Sequence, residues 1–345
     1  MRMTMTLKRI GEFGLIERIS SGCLFRPERV IRGIGDDAAA VTTTADETLL
    51  LSTDMLVEGI HFLRRAVSGE DLGCKALAVN LSDIAAMGGM AREALVSIAV
   101  PEDCGAGFIE AMYRGMKSLA ARYHVNIIGG DTTGSRSDLV ISITVTGSVA
   151  KNRILRRDQA RVGDVVCLTG YPGESAAGLY LILNPVDGAA DFFDHLLRRH
   201  HRPRPHLKEG QWLAGSGAVH AAIDISDGLS SDLGHVIRQS GVGVRIDAGC
   251  LPVSTFLQTF CDRFECDPID YILDGGEDYV LLCTVSPDAV SGVSTGFEAT
   301  FGRPLHQIGE IVAGSRFKLT AEAGDTRIVS PKGWNHFKKE LNDGE

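Results

Sequence analysis

Two series of apolar, strand-like runs alternate with helical segments along this chain, and a polar link separates the two series. In the first, "ETLLLSTD", "EALVSIAV", "VNIIGGD" and "LVISITVTG" read as strands. "SGEDLGCKALAVNLSDIAAMGG" reads as a helix begun by Ser68, with acids in its first turn, and stopped by Gly88 and Gly89. "FIEAMYRGMKSLAARY" reads as a helix, and so does "EFGLIERI", with Phe13, Ile16 and Ile19 at helical spacing. After the link "AKNRILRRDQARVGD", "DVVCLTG" and "AAIDIS" read as strands, and "GESAAGLYLIL" and "GLSSDLGHVIRQS" as helices. "VGVRID", "DYVLLCTV" and "LHQIGEIV" are further strands. Such alternation restricts the chain to an α/β or α+β architecture. Its 345 residues suffice for about two domains. The link sets the expected boundary near Ala150, giving units 1–150 and 151–345.

Carboxylates recur at or near the ends of the apolar segments, usually beside glycine. Asp36 and Asp37 sit in "RGIGDDAAAV", Asp54 in "LLLSTDMLVEG", Asp83 in the helix "VNLSDIAAMGG", and Asp131 after "IIGG". Asp224 and Asp227 lie in "AAIDISDGL", and Glu277 and Asp278 in "LDGGEDYVLL". Acids in such places are partly desolvated, which is unfavourable unless something positive pairs with them. Lysine and arginine are sparse in these segments, and only Lys75 lies nearby in sequence. Hard oxygen ligands without clustered His or Cys select Mg²⁺, Ca²⁺ or Mn²⁺ over zinc. Mg²⁺ takes one or two carboxylates and completes its shell with water and substrate phosphate, so acids spread along the chain suggest several Mg²⁺ ions bridging phosphates. A single Asp after a strand is also a common turn former or helix N-cap, a role open to Asp131 and Asp227.

Other features narrow the function. The net charge of −9 argues against nucleic acid as the main partner, because that binding relies on basic surface. No apolar run approaches the ~18–20 residues of a membrane span. The opening segment has no signal-type apolar core, so a cytoplasmic location is expected. The eight cysteines form no C-x-x-C pair, which disfavours zinc. No P-loop and no protein-kinase pattern is present. "TGYPGESAAG" opens a helix with glycines, which suits either a bound anion or tight packing. The basic run "LRRHHRPRPH", Leu197 to His206, suits a phosphate or metal site, or a helix end broken by prolines.

"GEFGLI", "GIGDDAA", "LSTDMLVEGIHF", "KALAVNLSDIAAMGG", "GGDTTGS", "DISDGLSSDL", "GGEDYVLL" and "GWNHF", in that order from Gly11 to Phe337, together resemble the thiamine-monophosphate kinase family. That family lies within the superfamily of aminoimidazole ribonucleotide synthetase and selenophosphate synthetase. The resemblance implies ATP-dependent phosphorylation of thiamine monophosphate to thiamine diphosphate. It also implies an N-terminal α/β domain that pairs with its copy in a homodimer, a C-terminal α/β domain, and an active site in the cleft between them. By the same resemblance, Asp37, Ser52, Thr53, Asp54, Asp83, Asp131, Asp224 and Asp227 look like the Mg²⁺ set. Tyr113, Gly130, Asp131, Arg157 and Ser226 look like nucleotide contacts, and His61, Glu277 and Trp334 like thiamine-phosphate contacts. Neighbouring side chains of an extended segment point to opposite faces, so Asp36 and Asp37 are not expected to coordinate the same ion; the resemblance puts the ligand at Asp37, which leaves Asp36 to accept a backbone hydrogen bond or to support the ligands from behind.

Elementary chemistry agrees with this assignment. The acceptor is a phosphate oxygen whose second pKa is ~6, so no strong general base is needed. The obstacle is repulsion between two polyanions, which metal ions and an arginine neutralise while holding the reactants in line. Trp334 offers a face for a thiazolium or pyrimidinium cation, Glu277 can answer thiamine's positive charge, and His61 can reach its phosphate. Structural roles stand beside each of these: a C-terminal anchor for Trp334, a loop cap for Glu277, a strand-end residue for His61, core for Tyr113 and surface for Arg157. Two rival functions are a selenophosphate synthetase-like enzyme and a non-catalytic Mg–ATP-binding module. The former would carry a reactive cysteine in an N-terminal glycine-rich segment, whereas the first cysteine here is Cys23 in "SSGCLFRP". The latter has no need of acids retained in both domains.

Overall fold

The computed structural model describes residues 30–32, 36–43, 46–186, 191–321 and 324–332. The expected helix "EFGLIERI", Cys23 and Trp334 lie outside the described residues. The first series builds β1 (Val30–Arg32), β2 (Ala39–Thr42), β3 (Glu47–Val57), α1 (Gly69–Ala86), β4 (Met90–Pro101), α2 (Ala106–Tyr123), β5 (Asn126–Ser135) and β6 (Val140–Ala150). Its strands form one sheet in the order β1-β2-β3-β6-β4-β5. Only β4 and β5 run parallel; the other neighbours are antiparallel. Burial alternates residue by residue along β6, with Ile141, Ile143 and Val145 facing the core. On the other face Met55, Leu95 and Ile128 are exposed.

The second series contains β7 (Val165–Leu168), α3 (Glu174–Leu183), α4 (Asp191–His201), α5 (Leu207–Ser216), β8 (Val219–Asp224), α6 (Leu229–Ser240), β9 (Gly243–Asp247), α7 (Thr255–Phe264), α8 (Pro268–Asp274), β10 (Leu281–Val285), α9 (Val290–Phe301), β11 (His306–Val312), β12 (Phe317–Thr320) and β13 (Thr326–Ile328). Its sheet runs β13-β12-β9-β11-β7-β10-β8, and β9–β12 is its parallel pair. The mostly antiparallel pairing settles the choice of class towards α+β.

α1 holds the two series together. Ser68 starts it, its hydroxyl accepting the amide of Asp71 at 3.0 Å. The helix is apolar around most of its circumference and buried to match. A Cβ on Gly73 would lie 1.8 Å from the carbonyl oxygen of Met112, and one on Gly115 1.9 Å from that of Glu70, so glycine lets α1 and α2 touch backbone to backbone. Leu207, Leu213, Ala222, Leu281 and Phe297 of the second series join the core around α1. A second core lies within the second series, around Leu233, Val244, Phe260 and Leu282.

Some elements differ from the sequence reading. β3 continues through the polar "STDMLV", because its ladder with β6 runs on to Val57 opposite Val140. Asp54 therefore lies inside a strand rather than at its end, and Asp131 likewise lies inside β5. α5, α7, α8 and α9, with β12 and β13, are further elements that the alternation did not reveal.

Candidate active site

Five polar groups of α1 and β3 gather beside the end of β8 in the second series. Ser52 and Asp54 stand on the same face of β3, as period-2 alternation requires. The Ser52 hydroxyl donates to Asp83 Oδ2 on α1. The amide of Asp54 donates to Asn80 Oδ1 at 3.0 Å, and its carboxyl reaches that of Asp83. Ser82 donates to Asp224 Oδ2, at the end of β8. Carboxylate oxygens of Asp37, Asp83 and Asp224 all lie within 4.8 Å of one another.

Arg157, in a short 3-10 turn within the link, closes this cluster. Its Nε donates to Asp37 Oδ2 at 2.8 Å, and its Nη2 donates to Asp37 Oδ1. Of the three arginines in "RILRR", it is the one that reaches the carboxylates; Arg156 pairs with Asp158 at 2.7 Å and Arg153 is exposed. Asp36 behaves partly as the sequence suggested. Its Oδ1 accepts the amide of Asp37 at 3.0 Å, and its Oδ2 pairs with Arg32 at 2.8 Å. The two neighbours share a partner, because Arg157 also lies 3.5 Å from Asp36. The chain bends at Asp37 and Ala38 before β2 begins, so strand alternation does not govern the pair.

The electrostatics are those of negative charge that is only partly compensated. Burial lifts the Asp37 carboxyl to about 6 against the pull of Arg157, with Asp224 adding repulsion. Burial and the adjacent Asp37 lift Asp36 to about 6 despite Arg157 and Arg32. Burial also lifts Asp54 to about 6. Asp83 rises well above the usual carboxylate range, through burial first and then through Asp54, Asp224 and Asp37. Asp224 is raised by burial, partly offset by the Ser82 hydroxyl. Such a set suits a hard divalent cation: every donor is oxygen, the site is desolvated, and the guanidinium neutralises one charge. Asp37, Asp54, Asp83 and Asp224, with the Ser52 hydroxyl, are the residues that could hold Mg²⁺.

Other sequence-derived candidates fall in different places. Thr53 faces away from the cluster; its hydroxyl donates to the carbonyl of Ile143 at 3.1 Å and accepts from Thr144 at 3.0 Å. Its side chain therefore lies on the face of β3 opposite that of Asp54, as alternation requires. Asp131 is also not brought to the cluster. It is exposed on the edge strand β5, where its Oδ1 accepts the amide of Thr132 at 2.9 Å. Gly130 has φ +151°, and a Cβ there would lie 1.7 Å from the carbonyl oxygen of Val96, so strand packing alone demands glycine. Tyr113 is half-buried against the first core. Ser226 and Asp227 lie on the loop after β8, and both amides donate to Asp232 Oδ2 at 3.1 Å.

Sequence reasoning missed Asp232, although "GLSSDL" contains it. It is buried at the first turn of α6, and burial and then Asp227 lift its pKa well above the usual range. Glu277 has an ion-pair partner in Lys75, at 2.8 Å. His61 accepts the amide of Val57 at Nδ1, 3.0 Å away. The glycine-rich start of α3 does hold an anion, but one of the chain's own: the amides of Gly173 and Ser175 donate to Asp278 at 2.8 and 3.2 Å. The run Leu197–His206 is a helix end followed by prolines, and Arg199, Arg202 and Arg204 in it pair with Glu174, Asp71 and Glu209.

Comparison with known proteins adds family to geometry. The model for the AIR synthase related protein N-terminal domain matches residues 35–149, and that for the C-terminal domain matches 161–322. Thiamine-monophosphate kinase of Bacillus subtilis (strain 168) is 38% identical over 331 residues, covering 95% of this chain and 99% of the relative. The enzyme of the same name from Escherichia coli (strain K12) is 38% identical over 328 residues, with 95% and 98% covered. AaThiL, solved in complex with AMPPCP and TMP, superposes with a TM-score of 0.84 at 35% identity, covering 97% of this chain and 99% of that one. The hydrogenase maturation protein HypE of Escherichia coli, 20% identical with a TM-score of 0.69, shares the fold. Similar to these kinases in sequence from end to end, and built like AaThiL around the same pair of domains, the chain belongs to the thiamine-monophosphate kinase family.

Proposed function

We propose that this protein transfers the γ-phosphate of ATP directly to the phosphate of thiamine monophosphate, giving thiamine diphosphate and ADP. One observation carries the reading: Asp37, Asp54, Asp83 and Asp224 are gathered in a buried site whose charge Arg157 offsets only in part. Family membership supplies the two substrates, since the relatives are thiamine-monophosphate kinases and AaThiL was solved with AMPPCP and TMP. Mg²⁺ bound at these acids would neutralise phosphate charge and help align the two reactants.

The chain's own residues do the rest. Ser52, Ser82 and Asn80 fix the carboxylates and the backbone of Asp54 before any substrate arrives. Arg157 supplies a guanidinium suited to phosphate oxygens. Ser226 and Asp227 border the site on a loop that Asp232 holds in shape. Glu277 faces the same region, its backbone amide bonded to the carbonyl of Ser226 at 2.7 Å. No residue is needed as a general base, because the acceptor is already an anion near neutrality.

The proposed division is an N-terminal unit, 1–150, and a C-terminal unit, 151–345, that completes the site. The exposed Met55, Leu95 and Ile128 favour pairing of the first sheet with its copy in a homodimer. Incubation with Mg–ATP and thiamine monophosphate, followed by chromatography, tests the activity. Formation of thiamine diphosphate and ADP is expected; turnover of another acceptor only would overturn the substrate assignment.

A further inference from the structure

Lys75 is 2% exposed, on the same helix that carries Asp83. A lysine buried to this degree is costly unless it is fully paired. Its Nζ lies 2.8 Å from Glu277 Oε1 and 2.9 Å from Oε2, 3.3 Å from His200 Nε2, and 3.4 Å from the carbonyl oxygen of His61. All of its donor capacity is thus directed at Glu277 and its surroundings. His200, also buried, comes from the end of α4, in the basic run that the acid cluster does not use. Burial and Lys75 push the His200 imidazole down to about 3, so it is neutral. A neutral ring that accepts from Lys75 at Nε2 carries its proton on Nδ1, which faces Ser175 Oγ at 3.1 Å and Glu277 Oε2 at 3.4 Å. Glu277 itself keeps an accessible edge, with its side chain 25% exposed. Its backbone has φ 60°, and Tyr279, two residues on, has φ 54°. Side chains with a Cβ rarely adopt this conformation without firm support from their surroundings.

We infer that Lys75 and His200 are positioning residues for substrate: from α1 and α4 they clamp the carboxylate of Glu277 in one orientation and present its open edge to the thiamine moiety. The inference rests on the proposed substrate and on Glu277 as its contact. With its charge already balanced by Lys75, Glu277 serves as a fixed hydrogen-bond acceptor for an N–H donor of the ligand more than as a free counter-ion. Lys75 belongs to the first series and Glu277 to the second, so the clamp sets substrate geometry across the junction of the two.

Steady-state kinetics on the full-length protein test this. Lys75→Met is expected to raise KM for thiamine monophosphate about tenfold or more, the worth of one hydrogen bond to a charged group. KM for ATP should change less than about twofold, because Glu277 is assigned to the thiamine side of the site. The double variant Lys75→Met/Glu277→Gln should bind thiamine monophosphate no worse than Glu277→Gln alone. Equal rises in both KM values, or losses that multiply in the double variant, would overturn the positioning role. If Lys75→Met does not fold, His200→Leu carries the test. A rise of about threefold in KM for thiamine monophosphate, with KM for ATP fixed, supports the inference, and no rise overturns it. A wild-type protein that forms no thiamine diphosphate overturns both this inference and the function beneath it. An active wild type with indifferent variants overturns the positioning alone.

Discussion

Arg157 grips Asp37 across 120 residues of chain, its Nε donating to Oδ2 at 2.8 Å and its Nη2 to Oδ1. The pair is buried, and its positive member also faces Asp36 and Asp224. Removing one partner of a buried pair leaves a carboxylate without compensation, at a cost of about 3–5 kcal/mol. Arg157→Met should lower the melting temperature markedly in EDTA and much less in excess Mg²⁺, because a cation held at the proposed site would replace the lost charge. Thermal unfolding in the two buffers measures the difference; an equal loss in both would refute the metal-site assignment.

Asp36 and Asp37 are adjacent but not equivalent. Asp37→Asn removes a carboxylate from the cluster of three that could ligate one ion, and should cost kcat/KM about 100-fold or more. Asp36→Asn keeps an oxygen to accept the amide of Asp37 and loses chiefly charge against Arg32. Its cost should stay within about tenfold and appear mainly as lowered stability. Parallel kinetics and melting curves compare the two.

Asp232 accepts the amides of Ser226 and Asp227 with one oxygen. Asp232→Ala leaves both amides unsatisfied and frees the loop, so kcat/KM should fall by about 10–100-fold. Asp232→Asn still offers an oxygen and should retain most of the activity. A reversed order of the two variants, measured under identical Mg–ATP, would contradict the assigned role.

Asp278 gives the fold a defined pH dependence. Burial lifts its pKa to about 7, although the amides of Gly173 and Ser175 pull the other way. A carboxyl raised in the folded state binds its proton more tightly there than when unfolded. Its contribution to stability is therefore fully present below about pH 4 and is lost as pH rises through about 7, with a slope of at most about 1.4 kcal/mol per pH unit. Asp278→Asn has no such proton to lose. The melting temperature of the variant, relative to wild type, should rise between pH 5 and pH 8, and a constant difference would rule this group out.

Leu95 projects from the face of the first sheet that also bears the exposed Met55 and Ile128. Leu95→Lys should convert a dimer to a monomer in light scattering while leaving the melting temperature of the monomeric fold nearly unchanged. A wild-type chain that is monomeric at high micromolar concentration would remove the proposed pairing.

Local signals in the sequence reached far in this protein. Ser68, the acids after it and the closing glycines marked α1 correctly, because a cap and an apolar run are written in neighbouring residues. Acids beside apolar runs marked Asp37, Asp54, Asp83 and Asp224, but alongside Asp36, Asp131, Asp227, Glu277 and Asp278, without separating the two groups. The bond from Lys75 to His200 was not legible, since 125 residues separate the two and no periodicity encodes their meeting. α9 was equally hidden: "VSGVSTGFEATF" is rich in glycine and β-branched residues, and it is helical because Val293 and Phe297, one turn apart, are buried in packing. α8 could have been found, for Asp267 caps it and Pro268 opens it. Thr53 and Asp131 stand apart from the acid cluster for a shared reason. Their strands run longer than the apolar residues do, and a residue inside a strand takes its direction from register.

The passage of α1 through the core has a consequence for biosynthesis. Its surface is covered partly by Leu207, Leu213, Leu281 and Phe297, and Ser82 waits for Asp224, 142 residues downstream. A ribosome delivering about 5–20 residues per second leaves that apolar helix uncovered for many seconds after it emerges. The nascent first half is therefore a natural client for a holdase chaperone. A polysome arrested before Phe297 should display the helix to proteases that the finished enzyme resists.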